Sequence, residues 1–184
     1  SLASYASNEM SFHQLGVKTG MSDNYIQAIE RDKYGFMWFA TRDGLNRYDG
    51  YHFKTYTTLR QGAYNNSVEW VAEDAAGNIW IKTPVNYCFY DREMDELDNR
   101  TELLLHKIGI FESPRQLFID DDKNLWCVAD NTLYYYIFSD ETLYKQSLPG
   151  SVNIADMACR NKRCYILMTD GNVINIDWMH KSIT

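Results

Sequence analysis

The feature that most constrains this chain is a tryptophan-anchored unit that returns about every forty residues. In its first copy Tyr25–Arg31 leads through Asp32-x-x-Gly35 into Phe36–Thr41, with Trp38 at the centre. The second copy runs from Val68 through Asp74-x-x-Gly77 to Thr83, around Trp80. The third runs from Gln116 through Asp120 to Ala129 around Trp126, with Lys123 where the others have glycine. The fourth, Ile154–Thr169, is worn, and Tyr165 stands in the tryptophan place. The anchors at 38, 80, 126 and 165 are separated by 42, 46 and 39 residues. That spacing suits the blade of a β-propeller and exceeds the roughly 20–34 residues of leucine-rich or helical repeats.

Periodicity inside each copy supports strands. Tyr25–Ile29 and Phe36–Thr41 are short apolar runs bounded by turn residues, at strand length rather than helix length. Asp-x-x-Gly between them supplies turn chemistry, and Asp49-Gly50 marks a further hairpin. The expected fold is all-β: four repeats of four antiparallel strands, the last incomplete, forming a partial propeller that is a fragment of a larger one. Blade one spans 25–57, with strands at 25–31, 36–41, 45–48 and 52–57. Blade two spans 66–105, with strands at 68–73, 78–83, 86–90 and an outer segment at 97–105. Blade three spans 115–146, with strands at 115–120, 124–129, 132–137 and 142–146. Blade four spans 152–184, with strands at 153–159, 163–168 and 172–177. Met94, Leu97, Leu104 and Leu105 have some helical spacing, but a long irregular outer strand is the expectation there.

Composition narrows the function classes. Aromatic residues make up 15% of the chain, which favours the pleated surface of strands. The net charge is −7 and the basic residues form no long run, which argues against nucleic-acid binding. No stretch of about 18 apolar residues is present to span a membrane. Ser1–Met10 lacks the basic and apolar pattern of a secretory leader. Cys88, Cys127, Cys159 and Cys164 form no C-x-x-C pair. Cys159 and Cys164 flank a short hairpin; a disulfide is open to them, but free, half-buried thiols are the expectation.

The segment Phe12–Leu15, Gly20–Asn24, Ile29–Thr41 and Arg42–Phe53 closely resembles the first blade of the two-component-regulator propeller repeats. Such repeats build the periplasmic sensor region of hybrid two-component systems in glycan-degrading gut bacteria. The resemblance is strongest over 12–57 and covers nearly the whole chain as repeat architecture. It implies a longer parent with a membrane helix, a histidine kinase and a DNA-binding output domain. It also implies that the intact sensor detects an oligosaccharide and switches on genes for its uptake.

The recurring Asp-x-x-Gly-x-x-Trp is read as structural, a turn plus a core aromatic, because it returns in successive copies. Asp120-Asp121-Asp122 is read as a solvated hairpin tip rather than a metal site, and no cofactor is expected. No nucleophile, metalloprotease or phosphate-loop motif accompanies His13, His52, His106 or His180, so no enzyme activity is expected of this segment. Ligand capture is expected on the face where the loops between second and third strands, and between blades, emerge together. The candidate ligand residues there are Asn24, Arg42, Asp43, Tyr64, Asn66, Lys82, Arg115 and Asn131. Arg42 and Arg115 are the candidates for an anionic sugar. A propeller interaction scaffold that binds a protein, with no sugar site, is the alternative reading.

Residues 11–15 read as a spare N-terminal strand, and only Lys181–Thr184 remain for an outer strand in blade four. A homodimer is therefore expected, two copies joining head to tail by strand exchange between open propeller ends.

Overall fold

The computed structural model describes residues 12–58, 66–149, 153–180 and 182–184. Four antiparallel four-stranded meanders account for nearly all of it. The first contains β1 (Ile26–Arg31), β2 (Met37–Thr41), β3 (Gly44–Tyr48) and β4 (Phe53–Tyr56). The second contains β5 (Trp70–Glu73), β6 (Ile79–Lys82), β7 (Tyr87–Asp91) and β8 (Glu96–Asp98). The third contains β9 (Pro114–Ile119), β10 (Leu125–Ala129), β11 (Thr132–Ile137) and β12 (Thr142–Ser147). The fourth contains β13 (Ile154–Arg160), β14 (Arg163–Met168), β15 (Val173–Asp177) and β16 (Ser182–Ile183). These are propeller blades, with inner strands β1 and β5, and β9 and β13, packed beside each other.

The repeated motif closes the inner hairpins of blades one to three by a clamp local in sequence. Asp32, Asp74 and Asp120 accept the indole N–H of Trp38, Trp80 and Trp126 at 3.0, 2.8 and 2.8 Å. The other carboxylate oxygen takes the backbone N–H four residues on, from Phe36, Asn78 and Asn124. One buried side chain thus satisfies the turn and fixes the ring. The fourth turn residue must be left-handed: Gly35 and Gly77 both have φ of 91°, and Lys123 takes 61° in the third copy. Lys123 bears that strain while its ammonium reaches Glu73 at 2.6 Å and Glu30 at 3.3 Å, tying three blades together.

The core lies between blades, in three apolar clusters. Each tryptophan faces the next blade: Trp38 meets Ile79, Ile81 and Tyr90, and Trp80 meets Leu117, Leu125 and Tyr134. Trp126 packs with Cys164, Ile166 and Ile174. Tyr165, on the corresponding face of blade four, is 46% exposed.

Three details differ from the sequence reading. The long outer strand expected over 97–105 is only three residues long, and a helical turn, α1 (Glu102–Leu105), follows it. Leu105 and Ile110 are buried against blades two and three, and strand pairing could not place both there. Cys159 and Cys164 are joined in a disulfide rather than free. They are direct partners across the β13–β14 hairpin, 4.1 Å apart at Cα, and the Asn161-Lys162 turn, left-handed at both residues, holds them opposed. Finally, Ser182–Ile183 pairs with Ile176–Asp177, so β16 occupies the outer position in blade four. Residues 12–15 form no strand, and Ser11 lies outside the described residues.

Candidate functional site

At the inner edge of blades two to four, a cleft of about 320 Å³ opens between β5, β9 and β13. That volume sits at the lower end of ligand pockets, roughly 300–1,000 Å³. Its walls carry Glu69 and Trp70 from blade two, Gln116 and Phe118 from blade three, and Asp156 from blade four. Trp70 and Phe118 are half-buried and lie nearly parallel, with ring centroids 6.4 Å apart and planes at 22°. Lys82 closes one side, its ammonium 3.6 Å from the Glu69 carboxylate.

Buried Tyr87 organises the floor. Its hydroxyl donates to Gln116 Oε1 at 3.0 Å and accepts the Leu117 backbone N–H at 3.0 Å. This fixes the Gln116 amide plane, and its nitrogen has no hydrogen-bond partner among the described residues. Burial pushes the Tyr87 phenol up to about 12, with Cys127, Glu69 and Asp156 adding to the shift, so the hydroxyl keeps its proton at neutral pH. The cleft therefore offers two aromatic faces, one oriented amide and carboxylates near their rim.

A larger hollow of about 560 Å³ on the other face is lined by Lys33, Tyr34, Glu73 and Lys123. Its charges already satisfy one another: Glu73 accepts the Lys33 backbone N–H at 2.9 Å and the Lys123 ammonium at 2.6 Å. It is a joint between blades rather than a receptor.

Of the described residues proposed from sequence, Lys82 alone lines the cleft. Asp43 and Asn66 do meet, Asn66 Nδ2 donating to Asp43 at 3.0 Å, while Thr57 donates to Asn66 Oδ1 at 2.5 Å. Arg42 beside them lies over the Tyr25 ring at 3.6 Å. Asn24 accepts the Val17 backbone N–H at 2.9 Å. Arg115 donates to the Asp130 carbonyl at 3.4 Å, and Asn131 donates to the Leu148 carbonyl at 2.7 Å. Tyr64 lies outside the described residues. Asn66 thus links the start of blade two to blade one, while Arg42, Arg115 and Asn131 make their contacts within their own blades.

Trp70, Gln116, Phe118 and Asp156 were not among the proposed residues because they sit on strands, whereas ligand capture was expected of loops. A signal was nonetheless present. Ala28, Trp70, Gln116 and Asp156 occupy the same place in the four copies, each paired two residues beyond the tryptophan position of the neighbouring strand. The first three copies agree at the clamp, whereas the residues at this position differ in all four.

The residues 20–43, which cover β1, its Asp32 turn and β2, match the family model described as two component regulator propeller. The chain carries a two-component regulator propeller repeat. Over 37 residues it is 51% identical to "Histidine kinase P4" of Formosa agariphila, a stretch of 20% of this chain and 3% of that protein. The propeller also superposes on an extracellular domain described as that of a hybrid two component system in B. thetaiotaomicron. The TM-score is 0.60 at 23% identity, covering 94% of this chain and 26% of that one. Virginiamycin B lyase from Staphylococcus aureus gives a TM-score of 0.52 at 15% identity over 90% of this chain and 56% of the lyase. Both likenesses show the propeller fold. This chain spans about a quarter of the extracellular domain it resembles.

Proposed function

We propose that this propeller belongs to the periplasmic ligand-sensing region of a hybrid two-component sensor. In this reading an oligosaccharide packed against the exposed parts of the Trp70 and Phe118 rings is the signal that regulates polysaccharide-utilisation genes. The histidine kinase that relays it lies outside this chain.

The observation that carries the reading is the pair of half-buried aromatic rings beside an oriented amide. The C–H faces of a pyranose pack on aromatic rings, and its hydroxyls pair with planar amides and carboxylates. The rings and polar groups come from three blades, so a ligand here would bear on their relative placement. Likeness to extracellular domains of two-component systems supports the same reading.

Calorimetric titration with an oligosaccharide panel tests it. A sugar that binds should lose about tenfold or more in affinity on Trp70→Ala, with the circular dichroism spectrum unchanged. Undiminished binding by that variant would remove the cleft from the function.

A further inference from the structure

We infer that the cleft selects neutral or amine-bearing sugars and rejects carboxylated or sulfated ones. This inference rests on reading the cleft as the ligand site, and it concerns the charge of what enters.

The wall presents two carboxylates, Glu69 and Asp156, from different blades. Against them stands a single ammonium, Lys82, and it is already paired with Glu69 at 3.6 Å. Asp156 is exposed, and its charge has no ion-pair partner among the described residues. The two arginines that the sequence offered as anion receptors are elsewhere. Arg42 is stacked on Tyr25, and Arg115 is turned to the Asp130 carbonyl. An incoming carboxylate or sulfate would thus meet net negative charge and no free guanidinium. The oriented donors near Gln116 suit a neutral hydroxyl, and the aromatic faces beside carboxylates also suit an ammonium group. A unit charge at contact distance changes affinity by on the order of tenfold even where the medium is water-like.

The test uses three disaccharides of matched linkage and length: a glucose-type neutral sugar, its glucosamine form and its glucuronate form. Each is titrated into the chain at low and at physiological salt. The expected order is glucosamine form and neutral form ahead of the glucuronate form by about tenfold at low salt, with the gap narrowing as salt rises. Replacing both carboxylates, Glu69→Gln with Asp156→Asn, leaves Lys82 as the wall's charge and should bring the glucuronate form level with the neutral one or ahead of it. Both side chains lie outside the buried core, and thermal melts of the double variant check that the fold is retained. Glucuronate binding equal to or tighter than neutral binding overturns the inference while leaving the cleft as a sugar site. A failure of all three disaccharides, together with a failure of the wider oligosaccharide panel, overturns the ligand-site reading itself.

Discussion

The joint between blades one and two and the joint between blades three and four solve the same packing problem with different chemistry. In the first, charge is threaded through aromatics. Arg92 reaches Asp32 at 3.3 Å and lies over the Tyr34 ring at 4.4 Å. Asp95 on blade two accepts the Tyr56 and Tyr90 hydroxyls at 2.7 and 2.6 Å and pairs with Lys54 and Arg47 of blade one. In the second, rings dominate. Trp126 stacks on Tyr135 at 3.9 Å, and Trp178 meets both at 5.2 and 5.8 Å. The Cys159–Cys164 disulfide crosses blade four's inner hairpin, which lacks the aspartate–tryptophan clamp of the other blades. The difference teaches that the repeat dictates an apolar layer between blades but leaves its polar locking to each joint. A joint locked by charge responds to pH and salt, and one locked by rings does not.

The sharpest break in that comparison is Trp126→Ala. Trp126 is fully buried, so the substitution should cost about 3–5 kcal/mol in urea unfolding. The loss should hardly change between low and high salt; a strong salt dependence would mean that charge also governs this joint.

Next in size is Asp95→Asn, expected to cost about 1 kcal/mol at pH 7, since the carboxylate is 42% exposed and partly screened. Burial opposes its ionisation, but hydrogen bonds from Lys54, Tyr90 and Tyr56 outweigh that and hold the carboxyl well below the usual carboxylate range. A group lowered on folding stabilises fully above its unfolded value, about 3.9, and loses that contribution as pH falls below it. The gap between native and Asp95→Asn stabilities should therefore shrink from pH 7 to pH 3. A constant gap would show that the carboxylate's charge is not what locks blades one and two.

The smallest effect is expected from Arg160→Ala. Arg160 and Asp121 pair at 2.9 Å across blades three and four, but their side chains are 75% and 70% exposed. Stability should move by no more than about 0.5 kcal/mol. A larger loss would bring the two joints closer in kind than their geometry indicates.

Much of the fold was legible because its signals are local. The aspartate and the tryptophan it holds are six residues apart, and one hairpin brings them together in three blades. Strand positions within the blades followed from the same turns; the misjudged elements were blade two's outer segment, blade four's outer strand and the strand expected at the N-terminus. In blade two the leucines of 102–105 serve a neighbouring blade, and nothing within the segment reveals that. The candidate site was much less legible. Loop residues such as Arg42 and Asn131 have chemistry suited to a ligand but lie away from the cleft, Arg42 over the Tyr25 ring and Asn131 donating to the Leu148 carbonyl.

Sequence alone determined the repeat, the β meanders and the clamp that closes three of the four inner hairpins, since all three depend on contacts within a few residues. Only tertiary structure decided which inner-strand residues converge. Trp70, Gln116, Phe118 and Asp156 come from three copies of the repeat, and Lys123 finds Glu30 across 93 positions. Blade packing sets those meetings. The tryptophan-anchored unit specifies the blade, and the positions where its copies differ become the wall of the cleft.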